Sequence, residues 1–307
     1  MENPWECIII GGGAAGLSAA LVLGRARRRT LVVDAGEPSN GVAEGIGGLL
    51  GHDRQPPESL YRTGREELAA YPSVEMRSGR VVAASGPAGD GESFHLELDD
   101  GSRERAPRLL LATGMQYRMP DLPGIAERWG RSVFHCPFCH GWEVRDRPIA
   151  VLDGGPTGVQ RALLLRLWSD DVTLLTNGDG ADLGADERTR LEREGVIVDE
   201  REVVELRGPG DELEAVVFAD GGERRCEGLL VPVTLHQRST LASDLGALTE
   251  AGPIAADALV IDSMFRTSVP GLFAAGDIGA QMPSVAGAVA SGSAAARTIV
   301  HDLLVAA

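Results

Sequence analysis

The stretch CIIIGGGAAGLSAALVLGRARRRTLVVD, residues 7–34, decides the fold. Cys7 to Ile10 is a short, wholly apolar run of the kind a strand buried on both faces requires. Gly11 to Gly16 reads as a turn, Leu17 to Gly24 as an apolar helix, and Thr30 to Val33 as a second strand ending at Asp34. The unit is therefore β-α-β, with Gly11-x-Gly13-x-x-Gly16 placed after a strand and at the start of a helix. The first glycine permits the tight turn, the second lets a pyrophosphate approach the helix amino end, and the third allows close helix–strand contact. Ala14 and Ala15 complete this cofactor-binding turn, and Asp34 can accept from an adenosine ribose hydroxyl. The motif calls for a dinucleotide without separating FAD from NAD.

Outward from that unit, residues 39–57 read as loop and Pro57 to Tyr71 as helix. From Val74 to Arg108, alternating runs such as Phe94 to Leu98, broken by Gly89-Asp90-Gly91 and Asp100-Gly101, predict antiparallel hairpins. Leu109 to Gly114 is one more buried strand, and Pro120, Pro123 and Gly124 mark a hinge. Beyond it the first pattern repeats, with Ile149–Leu152 a strand, Gly154–Gly158 a turn, Val159–Trp168 a helix and Val172–Leu175 a strand. Near Thr240 the character of the first segment returns, and an Ala/Gly-rich helix begins at about Ser284. The expected fold is α/β, with two Rossmann-like domains and the second inserted into the first. The outer one spans 1–117 and 240–307; the inserted one, NAD(P)-binding-like, spans 118–239.

Composition narrows the function classes. The 307 residues are 43% hydrophobic and 24% charged, ordinary values for a globular chain. Glycine is in excess, 40 residues, which without a collagen-like period means tight turns or close ligand approach. The net charge is −16 and there is no lysine. This balance argues against a cationic nucleic-acid groove, and the absence of lysine excludes a Schiff-base lysine and a Walker-type phosphate lysine. The amino terminus carries acids where a signal peptide carries cations, and no run of about 20 apolar residues could span a bilayer. These features suggest a cytoplasmic protein that binds neither nucleic acid nor membrane.

Cys136-Pro137-Phe138-Cys139 is the CxxC of the chain. Two thiols so spaced can close a small, reducible disulfide, and a helix starting there favours thiolate. His135 and His140 could complete a Cys₂His₂ metal set, but their reach within six residues is poor, and a chance pairing is the other alternative. No metal is expected. Cys7 and Cys226 lie in apolar contexts and read as inert core residues.

Ala112-Thr113-Gly114 and Gly271-x-x-Ala274-Ala275-Gly276-Asp277 resemble the paired signatures of two-dinucleotide-domain flavoproteins, which favours FAD, with Asp277 at its ribityl and phosphate region. With the CxxC placed just before the second β-α-β unit, the whole chain resembles the low-molecular-weight thioredoxin reductase family. The resemblance implies a homodimer in which Cys139 lies against the flavin and Cys136 exchanges with substrate. Where those reductases usually carry an aspartate acid/base, this chain has His140, either a base for an incoming thiol or a packing residue.

The inserted unit departs from a reductase. Opposite Gly11 stands Asp153, opposite Ala14 stands Pro156, and the strand end matching Asp34 offers Thr176 and Asn177. Asp179, Asp182, Asp186 and Glu187 follow before any cation, a surface that should repel NADPH. Pro283-Ser284 stands where reductases carry an Arg-Gln pair. CPFCH followed by Gly-Trp-Glu, with this weakened nucleotide turn, is similar to the FAD-dependent dithiol oxidase branch, whose members close the disulfides of gliotoxin, holomycin or romidepsin. That similarity implies a small-molecule dithiol substrate, attack at Cys136, transfer from Cys139 to FAD, and molecular oxygen as acceptor giving hydrogen peroxide. An NAD(P)H-dependent thioredoxin-disulfide reductase and a non-catalytic flavin redox sensor are the alternatives.

Overall fold

The computed structural model describes residues 5–86, 93–178, 183–279 and 282–305; Gly89-Asp90-Gly91, Asp179 and Asp182 lie outside them. The chain divides into two compact units, one of Met1–Gly41, Gln55–Tyr117 and Thr234–Ala307, the other of Val42–Arg54 and Arg118–Val233.

In the first unit, β1 (Cys7–Ile10), β2 (Thr30–Asp34), β3 (Val74–Ser78) and β4 (Arg108–Leu111) join the strand Leu272–Ala274 in one parallel sheet. The order is Leu272–Ala274, β4, β1, β2, β3. Every residue of β1 is buried, as its apolar run requires. Helix α1 (Ala14–Arg25), α2 (Pro57–Leu68) and the C-terminal helix Val285–Val305 share a core in which Ile9, Leu23, Leu110, Phe273 and Ile299 are buried. The strands Val81–Ser85, Phe94–Leu98 and Arg103–Ala106 form the expected antiparallel meander. Val74–Ser78 does not belong to it. It pairs parallel with β2, from Thr30↔Val74 to Asp34↔Ser78, as the half-buried edge of the main sheet. Alternation along a strand reports one covered face and says nothing of which neighbour supplies the hydrogen bonds.

In the second unit, β5 (Val133–Phe134), β6 (Ile149–Leu152), β7 (Val172–Leu175), β8 (Ile197–Asp199) and β9 (Gly228–Leu230) form a parallel sheet in the order β8, β7, β6, β9, β5. Helix α3 (Pro137–His140) is a single turn, and α4 (Pro156–Leu165) is the crossover between β6 and β7. It starts at Pro156 rather than Val159, since proline is at home in the first helical turn. On one face Val151, Leu165, Val172 and Leu191 are packed, and on the other Leu206, Val216 and Phe218. Residues 42–54 pack here as well, which the sequence places with the outer domain. Arg131 pairs with Glu44 at 2.7 Å, and a Cβ on Gly47 would stand 2.7 Å from the Cys139 carbonyl oxygen. Among the described residues no helix is long and apolar enough to cross a membrane.

Candidate cofactor turns and redox site

Gly11 has φ +106°, and a Cβ there would lie 2.3 Å from the Ala112 carbonyl oxygen, so both conformation and space demand glycine. A Cβ on Gly16 would lie 1.8 Å from the Gly11 carbonyl oxygen, which brings helix and strand into backbone contact. Gly13 caps α1 with no side-chain hydrogen bond, and a Cβ on it would meet nothing within 4 Å. The space beside Gly13, at the helix amino end that Ala14 and Ala15 begin, is open, the condition a phosphate needs. The Gly12 N–H donates to Asp34 Oδ1 at 3.0 Å and the Gly36 N–H at 3.2 Å, holding the carboxylate over the turn.

The other expected cofactor residues converge on the same sheet edge. Ala112, Thr113 and Gly114 follow β4, and Ala112 donates to the Ile10 carbonyl at 2.8 Å. From the neighbouring strand, Ala275 donates to the Leu111 carbonyl at 3.0 Å and Gly276 to Ser291 Oγ at 3.0 Å. Asp277 follows, its Oδ2 accepting from the Tyr117 hydroxyl at 3.3 Å. Burial pushes the Asp277 carboxyl up to about 6, against the Tyr117 bond and the Arg238 charge. Asp277 borders a cavity of about 160 Å³ that Phe265 and Ser291 also line. The ends of parallel strands in such a sheet are where dinucleotides bind, and the residues present fit FAD: open helix N–H groups for phosphate, and two carboxyls for hydroxyls. Ser284 lines the same cavity. Its Oγ accepts from the Gly287 N–H at 3.0 Å and caps the C-terminal helix. Sequence reasoning missed Tyr117 and Ser291, because their roles exist only across 160 and 15 residues of intervening chain.

The second turn keeps the outline of the first. A Cβ on Gly158 would stand 2.2 Å from the Asp153 carbonyl oxygen, the counterpart of Gly16 against Gly11. Its opening is filled. Asp153 Oδ1 accepts from the Gly155 N–H at 3.1 Å, while Oδ2 accepts from the Thr157 hydroxyl at 3.0 Å and pairs with Arg161 at 2.5 Å. At the strand end, Asn177 Oδ1 accepts from the Val203 N–H at 2.8 Å. Nearby cations are engaged: Arg201 and Arg224 on Asp199, at 2.7 and 3.3 Å, and Arg188 on Glu200 at 2.7 Å.

At the CxxC, Cys136 is the extended residue that begins α3, Pro137 takes the first helical position, and Cys136 and Cys139 are half-buried thiols. The Cys139 and His140 N–H groups both donate to the Cys136 carbonyl at 3.2 Å, closing the turn. The Cys136 thiol is lowered from 9.0 to about 7, first by hydrogen bonding from the Cys139 side chain, against burial, with help from the Cys139 and Phe138 N–H groups. Cys7 and Cys226 are buried, and burial raises both thiols, Cys226 to about 12. They are chemically quiet at neutral pH.

His140 stacks on Phe134, with ring centroids 5.7 Å apart, and its Nε2 lies 3.0 Å from the Gly130 carbonyl oxygen. A carbonyl can only accept, so Nε2 carries the proton and the neutral ring keeps its lone pair at Nδ1. Nδ1 is buried without a hydrogen-bond partner. Burial holds His140 below the ordinary imidazole range, against the pull of the Gly130 carbonyl, the Glu143 charge and the Cys136 carbonyl, which favours the neutral ring. His135 stacks on Trp129 at 5.7 Å, and burial lowers it to about 4, with the His140 and Arg161 charges adding to the effect. Gly130, in a left-handed conformation (φ +76°), fixes the tautomer of His140, a role that no sequence pattern marks.

Residues 5–292 match the model of the pyridine nucleotide-disulphide oxidoreductases. Thioredoxin reductase tcpT of Claviceps purpurea is 33% identical over 99% of this chain and 95% of its own length. An oxidoreductase from Agrobacterium tumefaciens superposes with a TM-score of 0.91 at 38% identity, covering 98% of this chain and 99% of that one. The crystal structure of HlmI gives 0.89 at 37% identity, over 99% and 94%. The chain belongs to the pyridine nucleotide-disulphide oxidoreductase family, among its thioredoxin reductase-like members, as an FAD-dependent thiol/disulfide oxidoreductase.

Proposed function

We propose that the protein is a dithiol oxidase that closes an intramolecular disulfide in a small-molecule dithiol and delivers the electrons to molecular oxygen. Cys136 and Cys139 cycle between disulfide and dithiol. One substrate thiolate attacks Cys136 Sγ of the disulfide; the Cys136–Cys139 bond breaks, a substrate–Cys136 bond forms, and Cys139 leaves as thiolate. The second substrate thiolate then displaces Cys136, giving the cyclic substrate disulfide and the reduced pair. FAD, when bound, supplies the two-electron acceptance through which the pair returns to disulfide and oxygen becomes hydrogen peroxide.

The observation that carries this reading is the filled second nucleotide turn, where Asp153 accepts from the Gly155 N–H at 3.1 Å and pairs with Arg161 at 2.5 Å, in a unit that keeps its CxxC. The Cys136 thiol, lowered to about 7 chiefly by the Cys139 side chain, adds to this, since a thiol so lowered is a good leaving group in the second displacement, where its departure releases product. Neutral His140, with the lone pair on Nδ1, is the base for the entering thiol. The second reading, a thioredoxin reductase fed by NAD(P)H, draws support from the name of the Claviceps purpurea relative.

An aerobic assay without nicotinamide tests the proposal. Mixing the yellow holoenzyme with a small dithiol should yield peroxide and oxidised dithiol in equal amounts. Cys136→Ser should abolish this and keep the flavin. His140→Asn should slow it by about 10²-fold, the usual worth of a positioned base. Absence of peroxide, with rapid NADPH-driven reduction of thioredoxin, would refute it.

A further inference from the structure

The family takes its name from a pyridine nucleotide, and the second unit does not fit one. We infer that Asp153 is the residue that excludes NAD(P)H, as an internal anion standing in the place of the pyrophosphate. The inference deepens the proposed function, since it accounts for electrons entering from a dithiol instead of a nicotinamide.

The two turns of the chain are the comparison. In both, an extended glycine begins the helix, Gly13 at φ −77° and Gly155 at φ −94°. A Cβ on the third glycine would stand 1.8 Å (Gly16) or 2.2 Å (Gly158) from the first residue's carbonyl oxygen, so the helix entry is shared, whereas Gly11 alone of the two first residues is left-handed, at φ +106°. They differ in what the helix amino end faces. Before α1 there is open space at Gly13; before α4 there is a carboxylate. The side chains best placed to greet a phosphate, Thr157 and Arg161, are turned onto that carboxylate, Arg161 at 2.5 Å. The Asp153 side chain is only 12% exposed, so its charge is weakly screened. A dinucleotide entering here would set pyrophosphate charge beside the Asp153 carboxylate and break its pair with Arg161, leaving a poorly solvated anion without its cation. At the strand end, Asn177 Oδ1 is bound to the Val203 N–H, and Thr176 is buried.

Asp153→Gly restores the residue found at the intact turn and releases Arg161. Calorimetric titration of the holoenzyme with NADPH reads the effect. Wild type should give no saturable heat at millimolar NADPH, and Asp153→Gly should bind at least tenfold more tightly than wild type. The double variant Asp153→Gly, Arg161→Gln should lose that gain. If glycine loosens the turn, Asp153→Asn keeps the size and removes the charge, and should gain in the same direction while its circular dichroism spectrum stays that of the wild type. Wild-type binding as tight as that of Asp153→Gly, or no gain in folded Asp153→Gly and Asp153→Asn, overturns the inference. Dithiol-driven oxygen uptake on the same samples reports separately on the proposed function. A gain in NADPH affinity without any such uptake in wild type would sink the oxidase and leave the role of Asp153 standing.

Discussion

Replacing Cys139 by alanine tests the origin of the Cys136 thiolate. The Cys139 side chain is the largest influence lowering Cys136 to about 7 from 9.0, and burial opposes it. At pH 7 a thiol of that strength is about half thiolate, against about 1% for an ordinary one, a ratio of roughly 50. Thiolate nucleophilicity falls with basicity at a slope of about 0.4–0.5, so two units cost roughly six- to tenfold and leave a net advantage of about five- to eightfold. In reduced Cys139→Ala the Cys136 midpoint should rise to 9 or above, because burial remains while its main donor is gone. Site-resolved alkylation by iodoacetamide, read by mass spectrometry, should show Cys136 reacting about five- to eightfold more slowly at pH 7. Well above both midpoints it should react faster than in the wild type, so the two pH profiles cross. Cys7 and Cys226 are buried and stay silent. A variant that still titrates near 7, with no crossing, would show that the backbone N–H groups of α3 set the thiolate and that the reasoning is wrong.

Other expectations follow from the same geometry. Gly16→Ala forces a Cβ to 1.8 Å from the Gly11 carbonyl oxygen, so the protein should purify colourless and lose more than about 3 kcal/mol of stability, read by flavin absorbance and chemical denaturation. Burial lowers His135 from 6.5 to about 4, so between these values the unfolded chain binds a proton that the folded chain refuses. Stability should therefore fall as pH drops through that window, by up to about 3 kcal/mol, and melts of His135→Gln should show a flatter profile. Asp277 is raised from 3.8 to about 6, the opposite case, and its ionisation costs the folded apoprotein stability as pH rises through that range. Asp277→Asn should raise the apoprotein melting temperature at pH 7, by up to about 3 kcal/mol of stability, and weaken FAD retention.

Much of this molecule was legible in the sequence. The Gly11–Gly16 turn and Asp34 were readable because each element is local and every step of the motif has a steric or hydrogen-bonding reason. Val74–Ser78 was misassigned because alternation carries no record of the partner strand, and here that partner is β2. The attachment of 42–54 to the second unit was invisible, since a Gly-rich loop shows no periodicity and the contact of Gly47 with Cys139 depends on tertiary placement. Asp153 stands in the sequence as an added charge in a nucleotide turn. That Thr157 and Arg161 close on it, from four and eight residues beyond it, becomes apparent only once the helix begins at Pro156. The tautomer of His140 hangs on the Gly130 carbonyl ten residues away, a backbone group that no side-chain pattern can announce.

The most direct test of the oxidase reading is an anaerobic stopped-flow comparison of electron donors on the yellow holoenzyme. A small dithiol should bleach the flavin in the wild type and leave Cys136→Ser yellow; admitting oxygen should restore the colour with one peroxide for each disulfide formed, and NADPH should do nothing on that timescale. Rapid bleaching by NADPH, with no response to the dithiol, would contradict the account.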